Sequence, residues 1–233
     1  MIDETVYHAN HILSFIGNIT LNISFVLYLI VYIPQIIHNQ KVANIAQLSF
    51  GLHFLLFSSY SFDLLYGFSS QLPWQYKTVS TVGLLLVTVQ HIQLMKFFVN
   101  KQLLLRVTLS IFLIILNCIA IYYFFVIKHS VLNYDSTFFV GAAARICGLI
   151  YCLPQIIKNS ISKSANAISL KYIYLNLVLA LLDTCSSWCL NWGWPNKLAA
   201  PCNAMIMLIM LYQINKYEYR PNFFIYNSKG VRA

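Results

Sequence analysis

The sequence predicts an all-α integral membrane protein of seven transmembrane helices, arranged as two parallel three-helix repeats joined by one linking helix, a 3+1+3 layout. Three observations predict it. Hydrophobic residues make up 59% of the 233 and charged residues only 9%, with a mean hydropathy of +0.68, whereas soluble domains carry about 25% charged residues. Seven apolar stretches each approach the ~20 residues that cross about 30 Å of hydrocarbon. Finally, the chain matches itself without a gap at an offset of 120 residues.

In chain order the stretches fall near 13–38, 46–68, 76–98, 103–127, 136–158, 168–190 and 196–216. Asp3 and Glu4 precede the first, with no basic n-region and no small-residue cleavage site after it, so it is expected to stay as a helix rather than act as a removable signal. The sequons Asn18-Ile-Thr and Asn22-Ile-Ser lie within this span and are expected to be helix residues, out of reach of glycosylation.

The net charge of +9 is decided by where the charges fall. Eleven of the fifteen basic residues lie on one side: Lys41; Lys96, Lys101 and Arg106; Lys158, Lys163 and Lys171; Lys216, Arg220, Lys229 and Arg232. The other side holds Lys77, Lys128 and Lys197, and Arg145 is left inside a helix. The positive-inside rule then places the amino terminus outside or in a lumen and the carboxyl terminus in the cytosol, which an odd number of spans requires. Short basic loops of this kind orient a membrane protein, so no nucleic acid is expected as a partner. All six cysteines, Cys118, Cys147, Cys152, Cys185, Cys189 and Cys202, fall in predicted spans and read as packing residues rather than a disulfide framework or metal site.

The self-match aligns Pro34-Gln35-Ile36-Ile37 with Pro154-Gln155-Ile156-Ile157 and Asn39 with Asn159. It goes on to pair Ser49 with Ser169, Asp63 with Asp183, Trp74 with Trp194, Lys77 with Lys197, Gln93 with Gln213 and Lys96 with Lys216. Apolar composition does not produce polar coincidences. The units are 12–98 and 134–218, two triple-helix bundles, with 103–127 as an unpaired linking helix and 219–233 as a short basic tail. An odd connecting helix makes the copies parallel, a plan used by secondary transporters with the solute site between the halves.

Pro34 and Pro154 stand near the cytosolic ends of helices one and five, where each lacks the amide that would reach the carbonyl of Ile30 or Ile150. They are candidate hinges, against the plainer reading of a static kink. Gln35 and Gln155 are expected to donate to the freed carbonyls, since an unsatisfied backbone group in hydrocarbon is costly. Asp63 and Asp183 are the acids inside predicted spans; each costs at least about 2.5 kcal/mol there. They are candidates for proton or substrate-ammonium binding, against a helix-to-helix hydrogen bond. Arg145 stands where the first repeat has Phe25 and needs a partner: either Asp183 on the next helix or a substrate carboxylate, which it would clasp beside Asp63. Asn203 is a further polar candidate in helix seven, opposite the apolar Gly83 of the first repeat. His53 and His91 each read as one interhelical bond or as part of a proton relay. Trp74, Trp192, Trp194 and the terminal tyrosines fit an interfacial belt, and Trp188 fits either belt or pore.

Pro-Gln-Ile-Ile-basic-Asn, with His38 and Lys158 at the basic position, occurs twice at equivalent depth and is followed by Leu48-Ser49 and Ile168-Ser169. In this the chain resembles the PQ-loop repeat family, which includes the lysosomal cystine exporter cystinosin, cationic amino acid exporters of the same organelle and, more distantly, SWEET sugar transporters. Leu181-Leu182-Asp183, Pro195-Asn196-Lys197 and Tyr212-Gln213 are most similar to the cystinosin-like members. The resemblance implies a pore between two bundles that rock about the prolines, in a lysosomal or vacuolar membrane; a bacterial inner membrane fits the sequence equally. It also implies a proton-coupling acid in helix seven, where this chain has none between Asp183 and Glu218. Asn203 there is similar to the pore asparagines of the sugar-transporting branch.

The expectation is therefore an alternating-access transporter of a small polar solute, an amino acid or related metabolite, with or without a coupled proton. The alternatives are a SWEET-like sugar facilitator and, in another class, a seven-helix sorting receptor or scaffold. With no nucleophile–base spacing, phosphate loop or metal-ligand cluster, no catalysis is expected. Nor are a cofactor, a metal or an obligate oligomer, leaving solute, protons and lipid as partners.

Overall fold

The structure, a computed structural model, describes residues 2–41, 45, 47–70, 72, 74–95, 134–192 and 194–218. The linking helix expected near 103–127 and the tail 219–233 lie outside the described residues, as do Cys118 and the basic residues Lys96, Lys101, Arg106, Lys128, Arg220, Lys229 and Arg232.

The described residues form helices and no strand. The first repeat holds α1 (Ile2–Ile30), α2 (Ile33–His38), α3 (Phe50–Ser69) and α4 (Trp74–Met95). The second holds α5 (Tyr134–Ile150), α6 (Leu153–Ser162), α7 (Leu170–Cys189) and α8 (Trp194–Glu218). The sequence offset carries over into the helix boundaries. Ile30 and Ile150 end α1 and α5, Phe50 and Leu170 open α3 and α7, Ser69 and Cys189 close them, and Trp74 and Trp194 open α4 and α8, each 120 residues apart.

The first predicted span begins earlier than expected, at Ile2, and both Pro-Gln spans are broken rather than continuous. A turn at Val31–Tyr32 separates α1 from α2, and one at Tyr151–Cys152 separates α5 from α6. Pro34 and Pro154 sit in the first turn of the second segment, where a missing amide is tolerated. The bend expected at the prolines is present at the carbonyls of Ile30 and Ile150. Asn18 and Asn22 lie within α1, where the Asn18 amide donates to the Ser14 carbonyl at 2.8 Å.

Within each repeat the last helix packs on the other two: α4 on α1 and α3, α8 on α5 and α7. The remaining helices pair across the repeats, α1 against α7 and α3 against α5, with α2 also meeting α7 and α6 meeting α3. The seam between the repeats is thus made of α1, α2 and α3 from the first and α5, α6 and α7 from the second. Ile12, Phe15, Ile19, Ile23, Val26 and Ile30 form an exposed apolar stripe on α1 at helical spacing, a face suited to lipid. His11–His38, Phe138–Ser162, Leu170–Cys189 and Asn196–Tyr217 are long and apolar enough to cross a membrane.

Candidate functional site

At the Pro-Gln end, each glutamine serves the other repeat. Gln35 Nε2 donates to Asn39 Oδ1 at 2.7 Å and to the Ala167 carbonyl at 3.1 Å, while its Oε1 accepts from the Ser169 amide at 2.8 Å. Gln155 repeats the pattern 120 residues on: Nε2 donates to Asn159 Oδ1 at 2.7 Å and to the Gln47 carbonyl at 3.3 Å, and Oε1 accepts from the Ser49 amide at 2.6 Å. Ser49 and Ser169 are the N-caps of α3 and α7. Each glutamine therefore performs in trans what a glutamine at the third helical position does in a capping box, satisfying the N-cap amide.

This corrects the expectation that Gln35 and Gln155 donate to carbonyls freed by their own prolines; two of the three bonds that each makes run across the seam, and the third holds the asparagine four residues on. Reciprocity also requires both Pro-Gln segments to lie at one end, so the repeats are parallel. Asn39 Nδ2 donates to Gln93 Oε1 at 3.3 Å and Asn159 Nδ2 to Gln213 Oε1 at 3.1 Å. The same glutamines donate to the carbonyls of Ile36 and Ile156 at 3.1 and 3.0 Å, tying each clamp to the last helix of its own repeat. Lys158 Nζ donates to the Leu48 carbonyl at 3.0 Å and His38 Nε2 to the Asn166 carbonyl at 2.7 Å, adding a second crossing in each direction. Gln35 and Gln155 are only 3% and 0% exposed, so the clamped end is closed to water at these amides.

Asp63 and Asp183 stand thirteen residues into α3 and α7, roughly 20 Å from the clamps at 1.5 Å per residue. Asp63 accepts a hydrogen bond from Tyr76 at 2.5 Å, and Tyr76 accepts one from Arg145 Nη2 at 2.8 Å. Arg145 Nη2 also lies 3.6 Å from Asp63 Oδ1, both side chains being partly buried. Of the two alternatives for Arg145, the pairing with Asp183 is thus corrected: among the described residues its ion-pair partner is Asp63, in the other repeat. Proximity in sequence pointed to α7, but α5 packs on α3, and side chains on α5 lean toward its amino terminus, the end away from the clamps. Asp183 accepts from Tyr28 at 2.5 Å, and among the described residues no cation forms an ion pair with it.

One turn toward the clamps from Asp63, Tyr60 accepts a hydrogen bond from Tyr32 at 2.8 Å, and Tyr32 packs on Tyr172 with ring centroids 5.6 Å apart. These buried tyrosines lie between the charged groups and the clamps. Gly83 has its own reason to be glycine: a Cβ there would stand 2.2 Å from Tyr60 Cε1. Its repeat mate Asn203 lies on α8, and its buried Oδ1 has no partner among the described residues.

A family model described as the PQ loop repeat matches residues 16–76 and 137–196, which together make up just over half of the 233 residues. The chain belongs to the PQ-loop repeat family. No curated protein matches the sequence significantly. With its membrane-length helices, this PQ-loop protein is a multi-pass membrane protein of transporter-like build. The two matched stretches hold both clamps, both aspartates and Arg145.

Among the predicted site residues, the fold brings Pro34, Gln35, Pro154 and Gln155 together at one end and Asp63 with Arg145 at the seam; Asp183 stands at the equivalent depth on α7, and Asn203 lies on α8. Sequence reasoning missed Tyr28 and Tyr76. The self-match carried a signal for them, since Tyr28 stands opposite Gly148 and Tyr76 opposite Asn196; both are tyrosines that only one repeat holds.

Proposed function

We propose that this PQ-loop protein is an alternating-access carrier of a small zwitterionic solute of amino acid type, in the conformation closed at its Pro-Gln end. The observation that carries the reading is the placement of two acid–tyrosine pairs and one arginine on the seam helices, about 20 Å beyond a reciprocal clamp. Arg145 offers a planar fork to a substrate carboxylate. Asp183, without a cation of its own among the described residues, offers a charge to a substrate ammonium. Asp63 holds Arg145 when no solute is bound, and a substrate carboxylate would take the Asp63 place.

On this reading the chain has the 3+1+3 plan, with α3 and α4 spanning as the repeat mates of α7 and α8, and 103–127 as the linking helix. The basic Pro-Gln end faces the cytosol, the amino terminus faces outside or a lumen, and no chemistry is catalysed. Coupling to a proton would fall to Asp183, because Asp63 is engaged by Arg145. Cystinosin-like cargo and a lysosomal, vacuolar or bacterial inner-membrane home belong to the same proposal.

Asn203 Oδ1, buried without a partner among the described residues, favours one second reading, a sugar facilitator in which a substrate hydroxyl donates to it. Uptake into proteoliposomes of cystine, lysine, arginine, neutral amino acids and glucose, each with and without an imposed pH gradient, tests both. Amino acid uptake raised by the gradient supports the carrier with a coupled proton, and uptake indifferent to it supports the carrier without one. Glucose uptake indifferent to pH transfers the role to the facilitator, and no uptake of any solute leaves a receptor or scaffold on the same helices.

A further inference from the structure

The repeats also differ in one buried place between α3 and α4. His53 on α3 is 0% exposed, and neither ring nitrogen has a hydrogen-bond partner among the described residues. Gln90 on α4, 1% exposed, likewise leaves Nε2 without one. A neutral imidazole carries one donor and one acceptor, and an unmade bond at a buried polar group is costly. Two such groups on adjacent helices call for a partner.

His53 and Gln90 line one small cavity together with Gln35 and Tyr172, closed by Leu52 and Ile168. Its free space suits about one water molecule. The bonds available to that molecule can be counted. Both hydrogens of Gln35 Nε2 are engaged, by Asn39 and Ala167, and among the described residues Gln35 Oε1 accepts only from the Ser169 amide, which leaves it room for one more donor. A water here would donate to Gln35 Oε1 and to the acceptor nitrogen of His53 and accept from Gln90 Nε2, the three bonds typical of buried water. The other repeat needs none: Ile173 replaces His53 and Met210 replaces Gln90, both fully buried and apolar.

We propose that His53, Gln90 and Gln35 bind one buried water molecule, which backs the first clamp and has no counterpart behind the second. The site makes the two clamps chemically different although their protein bonds are the same. Gln35 is held from behind by a removable molecule, whereas in the second repeat the positions equivalent to the water's partners on α3 and α4 are the apolar Ile173 and Met210.

The test uses the residues that the second repeat already accommodates. His53→Ile, Gln90→Met and the double variant are made in the full-length protein, and thermal unfolding is followed in detergent. A bridging water predicts that each single variant lowers Tm and that the double lowers it no further than the worse single, because the water leaves with the first partner lost. A dry cavity predicts the reverse: each single removes an orphaned polar group and raises Tm, and the double raises it additively, which would overturn the proposal. A structure of the unmutated protein at a resolution that shows ordered solvent decides the matter even if a variant fails to fold. A water oxygen within hydrogen-bond distance of His53 and Gln90 supports the site, and an empty cavity refutes it.

Discussion

Replacing Gln35 by leucine removes the first clamp while keeping side-chain volume close to the original. Three hydrogen bonds are lost: those to Asn39 Oδ1, to the Ala167 carbonyl and from the Ser169 amide. At about 1 kcal/mol each in the buried setting, the closed conformer loses about 3 kcal/mol. Opening exposes these groups to water, so the open conformer loses little, and the closed-to-open ratio falls by about 100-fold, at tenfold per 1.4 kcal/mol. Nitroxides at Gln40 and Ser162, exposed positions beside the two clamps, would report this in a background with the six native cysteines replaced. The distance distribution should gain a longer component in Gln35→Leu and, by repeat equivalence, in Gln155→Leu. An unchanged distribution in a folded Gln35→Leu protein would refute the view that these glutamines hold the end shut, and would leave them as ordinary caps of α3 and α7.

Four further outcomes are expected. Asp63→Asn should destabilise the protein by about 1–3 kcal/mol, less than a fully buried pair would lose because both side chains are partly exposed; thermal unfolding checks this, and adding Arg145→Gln should recover stability without recovering uptake. Asp183→Asn should abolish or strongly reduce solute uptake with insertion and fold intact, and Tyr28→Phe, which removes its donor, should give a smaller loss; unchanged uptake in Asp183→Asn would make that residue structural. Pro154→Ala should slow turnover more than it weakens solute affinity, as paired uptake and equilibrium-binding measurements would show, since the chain bends just before this proline. Gly83→Ala should lower stability by about 1–3 kcal/mol in thermal unfolding, because its methyl would collide with the Tyr60 ring and displace its bond to Tyr32.

The repeat was legible in the sequence down to helix boundaries because spacing along the chain survives folding: Ser49 and Ser169 cap their helices at the same offset that aligns them as letters. Which residues partner one another was not legible. Gln35 and its own proline share a turn, and Arg145 and Asp183 sit on successive spans, so nearness in sequence suggested local bonds. The fold instead lays α1 on α7 and α3 on α5, sending the bonds across the repeats. The tyrosines were hidden by their chemistry. An amphipathic ring suits a membrane interface and a buried carboxylate equally well, so until their partners were placed Tyr28 and Tyr76 stood out only as tyrosines that one repeat holds and the other lacks.

Symmetry is kept at the clamps and given up at the charged centre, and the two functions differ in what they require. On the proposed reading, a gate formed by two parallel repeats closes evenly only if each repeat grips the other by the same bonds; Gln35 and Gln155 make those crossing bonds, and the pairs Asn39 and Asn159, and Gln93 and Gln213, brace them alike within each repeat. A solute with an ammonium at one end and a carboxylate at the other has no two-fold axis, and a symmetric site would present the same group to both ends. Arg145 opposite Phe25, Tyr76 opposite Asn196 and Tyr28 opposite Gly148 break the symmetry at the depth where such a solute would lie. A sugar also lacks a two-fold axis, so on the proposed reading it is the charge of these departures, Arg145 facing Asp63 where the first repeat has Phe25, rather than asymmetry alone, that favours a zwitterion over a neutral cargo.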